Sequence, residues 1–212
     1  LDPSGELHRQ VGVCFRDAAL TVIKSSGIER EMIRAIGSHG QTLRHQPSAD
    51  EPFSLQIGDA DIIANGTGIT TVANFREADI LAGGQGAPLV PPFHEWLFHS
   101  TTSDTVVINI GGISNVTILP ATVSPVLGFD TGPGNGLMDV WTRRNLDTEF
   151  DSGGRWAASG AVVGELLRAM LNDPYFQLEP PKSTGFEYFN LKWLLRFDVD
   201  QFDPADVQAT LC

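Results

Sequence analysis

Val106-Val107-Ile108-Asn109-Ile110-Gly111-Gly112-Ile113-Ser114-Asn115-Val116-Thr117-Ile118-Leu119 is the stretch on which the fold class turns. Its two arms, Val106–Ile110 and Val116–Leu119, are rich in β-branched residues and flank a glycine turn, which predicts a β-hairpin. The glycines and polar residues inside the run break it well short of a membrane span. A glycine hairpin between buried strands exposes backbone N–H groups suited to a nucleotide phosphate, which makes Asn109, Gly111, Gly112 and Asn115 candidate contacts. No Gly-Lys-Ser/Thr follows, so it is not a P-loop, and it lacks the dinucleotide fingerprint. A purely structural turn explains the same residues.

Downstream, Val126–Phe129 reads as a third strand closed by Asp130-Thr131-Gly132-Pro133-Gly134, with a helix over Asn135–Arg144. A carboxylate at a strand end can hold Mg²⁺ through water, and a helix N-terminus can hold phosphate. Asp130, Gly132, Gly134 and Asn135 are therefore candidates; the alternative is Asp130 as a simple turn former. Helices are predicted over Trp156–Leu171, Leu191–Phe197 and Pro204–Leu211, the last with Asp203 as N-cap.

Upstream, apolar residues at helical spacing predict a long helix over Glu6–Ser26 with Ser4 as N-cap. Short strands are predicted at Ile33–Ile36, Ser54–Ile57 and Ile69–Phe75, and a short helix capped by Asp59. The first strand ends at Gly37-Ser38-His39-Gly40-Gln41-Thr42, where His39 and Gln41 can meet a polar ligand or sit in a satisfied turn. Helical residues from Arg76 to Leu81 precede Gly83-Gly84-Gln85-Gly86, and the helix resumes over Pro88–Phe98. Asp79, beside that glycine break, can act as a general base, and Arg76 one turn earlier can either bind substrate or simply pair with it. Ser100–Ser103 is the expected joint between lobes covering residues 1–99 and 104–212. Alternating strands and helices with glycine turns at strand ends make this an α/β chain.

The 212 residues are 42% hydrophobic and 19% charged, ordinary globular composition. A net charge of −12 repels polyanions and argues against nucleic acid. Cys14 and Cys212 show no disulfide or metal spacing, and Leu1–Glu6 reads as polar rather than as a leader; a cytoplasmic protein without membrane attachment is expected. The four tryptophans, Trp96, Trp141, Trp156 and Trp193, are expected to pack in cores or lobe contacts. Asp147, Glu149 and Asp151 read as a solvated acidic loop.

Taken in order, Gly37-Ser38-His39-Gly40-Gln41-Thr42, Arg76-Glu77-Ala78-Asp79 with Ala82–Pro91, Asn109–Asn115 and Gly128–Asn135 resemble the anhydro-N-acetylmuramic acid kinase family. Asp151-Ser152-Gly153-Gly154 and Pro180-Pro181-Lys182-Ser183-Thr184-Gly185 also fit it. The resemblance implies two RNase-H-like lobes of the actin-like ATPase kind, incomplete at both ends, because the family's first phosphate loop and later adenosine segment have no counterpart here. It implies ATP and Mg²⁺ as cofactors, a small-molecule sugar as substrate, and a homodimer. The implied reaction uses water and ATP to open the anhydro bond and phosphorylate O6. By the family pattern Asp79 is the base, His39, Gln41, Arg76 and Gln85 contact the sugar, and the Asn109–Asn115 hairpin is the second phosphate loop. The stretch by itself is expected to be inactive. A conventional hexosamine kinase of the same fold, or a non-catalytic binding protein, remains the alternative.

Overall fold

The computed structural model describes residues 3–47, 49–122 and 124–212; Leu1 and Asp2, the start of the polar opening stretch, lie outside them. Chain contacts group into two compact units, Leu1–Gly86 and Ala87–Cys212. Both mix helices with small sheets, so the chain is α/β.

In the first unit, helix α1 spans Pro3–Ser26, so Ser4 lies inside it and Pro3 takes the first helical position, where a missing N–H costs nothing. Strand β1 (Ile36–Gly37) follows, then β2 (Gln41–Gln46) and β3 (Phe53–Ile57), helix α2 (Ala60–Thr67), strand β4 (Thr71–Val72) and helix α3 (Glu77–Leu81). β1 pairs in parallel with β4, and β2 pairs antiparallel with β3. The strand expected at 33–36 shrinks to its last residue plus Gly37, because Arg30–Met32 forms a 3₁₀ turn. The strand expected at 69–75 keeps only Thr71–Val72, and Asn74 at φ 57° turns the chain away. β2 occupies a segment the sequence presents as polar loop, since its ladder partner comes from β3 and not from its own pattern.

Helix α1 docks through a close approach. A Cβ on Gly12 would lie 2.8 Å from the Asp59 amide nitrogen, and Asp59 N–H donates to the His8 carbonyl at 3.2 Å. The Asp59 side chain caps α2 as expected, accepting from Asp61 and Ile62 N–H groups at 2.9 and 3.3 Å. Gly68 ends the helix in the left-handed conformation. Ile57, Ile63, Ile69 and Ile80 form the buried centre of this unit.

The second unit begins with helix α4, Pro91–Phe98, then strands β5 (Thr105–Ile110), β6 (Ile113–Leu119) and β7 (Leu127–Pro133), in sheet order β5-β6-β7, all antiparallel. Contacts assign α4 to this unit and not to the first lobe of the sequence reading. Its His94 Nδ1 bonds Thr117 Oγ1 at 2.8 Å, and a Cβ on Gly128 would meet Pro91 Cγ at 2.3 Å. The predicted hairpin forms, but with Gly111-Gly112 alone as its turn. β7 runs on through Asp130 to Pro133, so Asp130 is a strand residue and not a turn former.

Helix α5 (Asn135–Leu146) follows the sheet, then α6 (Gly164–Leu171), α7 (Leu191–Leu194) and α8 (Pro204–Leu211). The single helix expected over 156–171 is instead a 3₁₀ turn at Ala157–Ser159 and then α6. The chain passes tightly against α8 there: a Cβ on Gly160 would be 2.2 Å from the Ala205 carbonyl oxygen. The expected Asp203 cap is present, accepting from Ala205 N–H at 2.8 Å. Leu137, Trp141, Leu166, Met170, Tyr175, Phe189, Trp193, Leu194, Val199 and Val207 form one core. Trp141 and Trp193 fall in it and Trp156 packs against it, whereas Trp96 is 78% exposed, contrary to expectation. Its ring lies tilted against Phe93, with ring centroids 5.9 Å apart.

Candidate active site

Two polar clusters contain most of the candidate residues, one in each unit. In the first, everything converges on the buried Gly86 peptide. Its N–H donates to Asp79 Oδ2 at 2.6 Å, and its carbonyl accepts from Arg76 Nη1. Arg76 Nε donates to His39 Nε2 at 2.9 Å. With Nε2 accepting, the proton sits on Nδ1, which donates to the Gly40 carbonyl at 2.9 Å. His39, Arg76 and Asp79 are thus joined by way of a main-chain peptide, and not by the direct Arg76–Asp79 pair that their spacing allows. Asp79 also fixes the glycines beside it: a Cβ on Gly84 would lie 2.3 Å from its Oδ2.

Gln41 is exposed on β2, its amide 3.4 Å from the neighbouring Thr42 carbonyl, and Gln85 is half-buried next to Gly86. A cavity of about 510 Å³ opens in the same unit. Its polar lining includes Ser38, His39, Gln56, Asn74 and Glu77 but no lysine or arginine, so it suits neutral hydroxyl-rich groups better than phosphate. Of the expected sugar contacts only His39 lines it.

The second cluster is built around the hairpin. The N–H groups of Gly134, Asn135 and Gly136 donate to the carbonyls of Gly112, Gly111 and Gly112 at 2.9, 2.8 and 3.2 Å. The start of α5 is therefore closed by the hairpin turn and does not present these three N–H groups to a ligand. The glycines are there for contact. A Cβ on Gly134 would sit 2.1 Å from the Gly111 carbonyl oxygen, and Cβ atoms on Gly112 or Gly136 would each come within 2.4 Å of the Phe186 ring. Gly132, at φ 151°, faces Phe176.

Asp130 is 6% exposed. Its Oδ2 accepts from Thr184 N–H at 3.0 Å. Its N–H donates to the Lys182 carbonyl at 3.0 Å, and its carbonyl accepts from Tyr175 Oη at 2.7 Å. The segment Pro180–Gly185 is thereby laid along the free side of β7. Lys182 is buried within it, its Nζ 3.1 Å from the Tyr175 carbonyl and 4.8 Å from the Tyr175 ring centroid. Burial first, and then the Asp130 charge, push the Tyr175 hydroxyl well above its ordinary range, so it stays a donor. Asn109 opposes Asn115 across β5 and β6, and Asn115 opposes Asp130 across β6 and β7. Asn109 is exposed and Asn115 half-buried.

As to a metal, the described residues contain no group of three or more His, Cys, Asp or Glu side chains suited to an ion. A lone aspartate such as Asp130 fits Mg²⁺ only as one contact among the oxygens that ATP phosphates and water bring.

The sequence reading missed Asp173, a buried carboxylate with four hydrogen-bond donors. Its Oδ1 accepts from Tyr175 N–H at 3.0 Å and Tyr188 Oη at 2.6 Å. Its Oδ2 accepts from Trp193 Nε1 at 2.8 Å and Arg196 Nη2 at 2.7 Å. Burial works to raise its pKa, but these four donors outweigh burial and the pKa falls below 3.8. Asp173-Pro174 is an N-cap followed by proline, a signal legible in advance. Asp151, expected to be merely solvated, accepts from Trp156 and Ala157 N–H groups at 3.0 and 2.9 Å. Burial opposes its ionisation, and those bonds with the Gln208 amide still lower its pKa.

Residues 1–212 match the family described as "Anhydro-N-acetylmuramic acid kinase". A protein of that name from Xanthomonas oryzae pv. oryzae (strain MAFF 311018) is 55% identical over 212 residues, covering 100% of this chain and 56% of its own length. Another, from Coxiella burnetii (strain RSA 493 / Nine Mile phase I), is 51% identical over 209 residues, 98% of this chain and 56% of its own. The chain thus spans little more than half the length of these curated relatives. No helix among the described residues is long and apolar enough to cross a membrane.

Proposed function

The chain belongs to the anhydro-N-acetylmuramic acid kinase family, and from that premise we propose that the family-length protein opens 1,6-anhydro-N-acetylmuramic acid with water and phosphorylates O6 from ATP. Two actin-like lobes, ATP carrying Mg²⁺, and a homodimer belong to the same proposal. The observation that carries it is the match along the whole of this chain at 51% to 55% identity, which takes in every motif quoted above.

The reaction needs a carboxylate to take a proton from water as the anhydro bond breaks. Asp79 is the first candidate, by the family pattern. Its Oδ2 holds the Gly86 N–H and its side chain is exposed, which suits an anchor of the glycine turn. A second reading gives the base to Asp130, favoured by burial at 6% exposure and by the Thr184 N–H that fixes its aim. A carboxylate held rigidly away from bulk water keeps its geometry and directs a single water molecule. The Thr184 N–H bond, however, commits the Asp130 carboxylate to the 180–185 segment, whereas Asp79 is open to water beside the glycine turn, and we adopt Asp79 as base. Arg76, which holds both His39 and the Gly86 carbonyl, brings a cation to that turn and suits the lactyl carboxylate of the sugar.

ADP release by the family-length protein tests this. MgATP with the anhydro sugar should give turnover, and MgATP with open N-acetylmuramic acid should not. Turnover with the open sugar alone would make it a conventional hexosamine kinase; none with either would make it a binding protein. Asp79→Asn should lower kcat by about 1,000-fold and Asp130→Asn by about tenfold. The reverse order would give the base to Asp130.

A further inference from the structure

We propose that His39 is a positioning residue of the reaction: acting through Arg76 and Gly86 it aims the Asp79 carboxylate, and it gives the sugar no hydrogen bond. The inference rests on Asp79 being the base.

The carboxylate needs aiming. Asp79 is exposed, and exposed side chains exchange rotamers on the picosecond-to-nanosecond timescale. Main chain holds it. Its Oδ2 accepts from Gly86 N–H at 2.6 Å, and a Cβ on Gly84 would lie 2.3 and 2.7 Å from Oδ2 and Oδ1. With Oδ2 committed to the turn, Oδ1 is the oxygen that meets water.

Gly86 is the soft link in this arrangement. It is a glycine at φ 65°, two residues after Gly84, and its N–H points only as steadily as its own backbone. Its carbonyl is held as well, accepting from Arg76 Nη1. Bonds at both the N–H and the carbonyl restrain both dihedrals of the residue type most free to turn.

Arg76 in turn has a competing partner. It stands at the N-cap of α3 with Asp79 three residues on, a spacing at which arginine and aspartate pair. Such a pair would cover the carboxylate and weaken it as a base. His39 draws the guanidinium elsewhere: Arg76 Nε donates to His39 Nε2 at 2.9 Å, which sets Nη1 on the Gly86 carbonyl. The histidine has a firm seat for this. Ser38 beside it is buried, with its N–H on the Val72 carbonyl at 2.8 Å. On the other side a Cβ on Gly40 would lie 2.7 Å from the Ile57 carbonyl oxygen.

The ring keeps no polar group for a ligand. A neutral imidazole has one donor and one acceptor. Nε2 accepts from Arg76, and Nδ1 donates to the Gly40 carbonyl at 2.9 Å. His39 lines the cavity of about 510 Å³ and can touch a sugar there through ring carbons, but both its hydrogen bonds are made within the protein. It therefore moves no proton in the reaction. The water oxygen bonds to the anomeric carbon as its proton passes to Asp79 Oδ1. The bond from that carbon to O6 breaks with its electron pair on O6, and O6 takes the γ-phosphoryl group of ATP as ADP departs. Asp79 returns the proton to solvent.

The test uses His39→Ala and His39→Gln in the family-length protein, with wild type and Asp79→Asn alongside. Glutamine sets an amide oxygen where Nε2 accepts, and alanine removes the acceptor. His39→Ala should lower kcat about 100-fold and leave the KM for the anhydro sugar within about twofold, the signature of a misplaced catalytic group. His39→Gln should recover kcat to within about fivefold of wild type. A sugar KM raised about tenfold in both variants with kcat retained would make His39 a sugar ligand and overturn the inference. So would a glutamine variant as slow as the alanine one, or a lowered unfolding temperature with kcat retained. Nitrogen-15 NMR of histidine-labelled wild type checks the same bonds without any active variant. The neutral His39 ring, assigned by the signal that His39→Gln lacks, should carry its proton on Nδ1; a proton on Nε2 would overturn the link to Arg76. Activity retained by Asp79→Asn would remove the base itself, a failure of the underlying reading visible without any His39 variant.

Discussion

Gly83 and Gly86 in the first unit have φ of 90° and 65°, and nothing lies within 4 Å of where a Gly83 Cβ would sit. Gly112, Gly134 and Gly136 in the second unit avoid that left-handed region, yet a Cβ on each would penetrate a neighbour at 2.1 to 2.4 Å. Gly83 therefore needs glycine for backbone conformation, and Gly112, Gly134 and Gly136 need it for contact. The polar groups divide in the same way. His39, Arg76 and Asp79 meet around one peptide at a solvent-facing turn, while Asp130 and Asp173 are buried and their bonds fix the packing of a core. The first unit's cluster is suited to adjust, the second's to hold a fixed geometry.

Asp173→Ala should probe the rigid side most severely. It leaves Trp193 Nε1 and Tyr188 Oη without their acceptor and should cost about 3 kcal/mol of stability by chemical denaturation at neutral pH. The Asp173 pKa is lower folded than unfolded, so its contribution is present above pH 3.8 and fades as pH falls through the folded value. The gap between wild type and variant should narrow below pH 3.8; a gap that widens in acid would mean the carboxylate is neutral in the fold. Gly134→Ala comes next, at about 2 kcal/mol, because the new methyl meets the Gly111 carbonyl, a main-chain atom that cannot swing aside. Gly83→Ala should cost only about 1 kcal/mol, the strain of a left-handed alanine in open space. Equal losses at Gly134 and Gly83 would erase the distinction between contact glycines and conformational ones.

Much of this was legible in the residues. The hairpin, the long first helix, and the Asp59 and Asp203 caps are local: β-branched arms around glycine, apolar spacing of three and four, and an oxygen placed to receive the first free N–H groups. The family resemblance places His39, Arg76 and Asp79 at one sugar site, but the Gly86 peptide that joins them is a long-range contact that no local pattern announces. The short strands at 36–37 and 71–72 were overestimated because β-branched composition says nothing of where the ladder partner stops.

The sequence by itself determined the local elements, the family, and the carboxylates and amides among which the chemistry must be sought, because turn, cap and periodicity preferences act between residues a few positions apart. Only the tertiary structure decided which carboxylate is buried, that the start of α5 is closed by the hairpin, and that Asn115 stands between Asn109 and Asp130. Those outcomes depend on register, on a bulge of one residue and on contacts between segments distant in the chain, where burial and hydrogen bonding are set by neighbours the local sequence does not name.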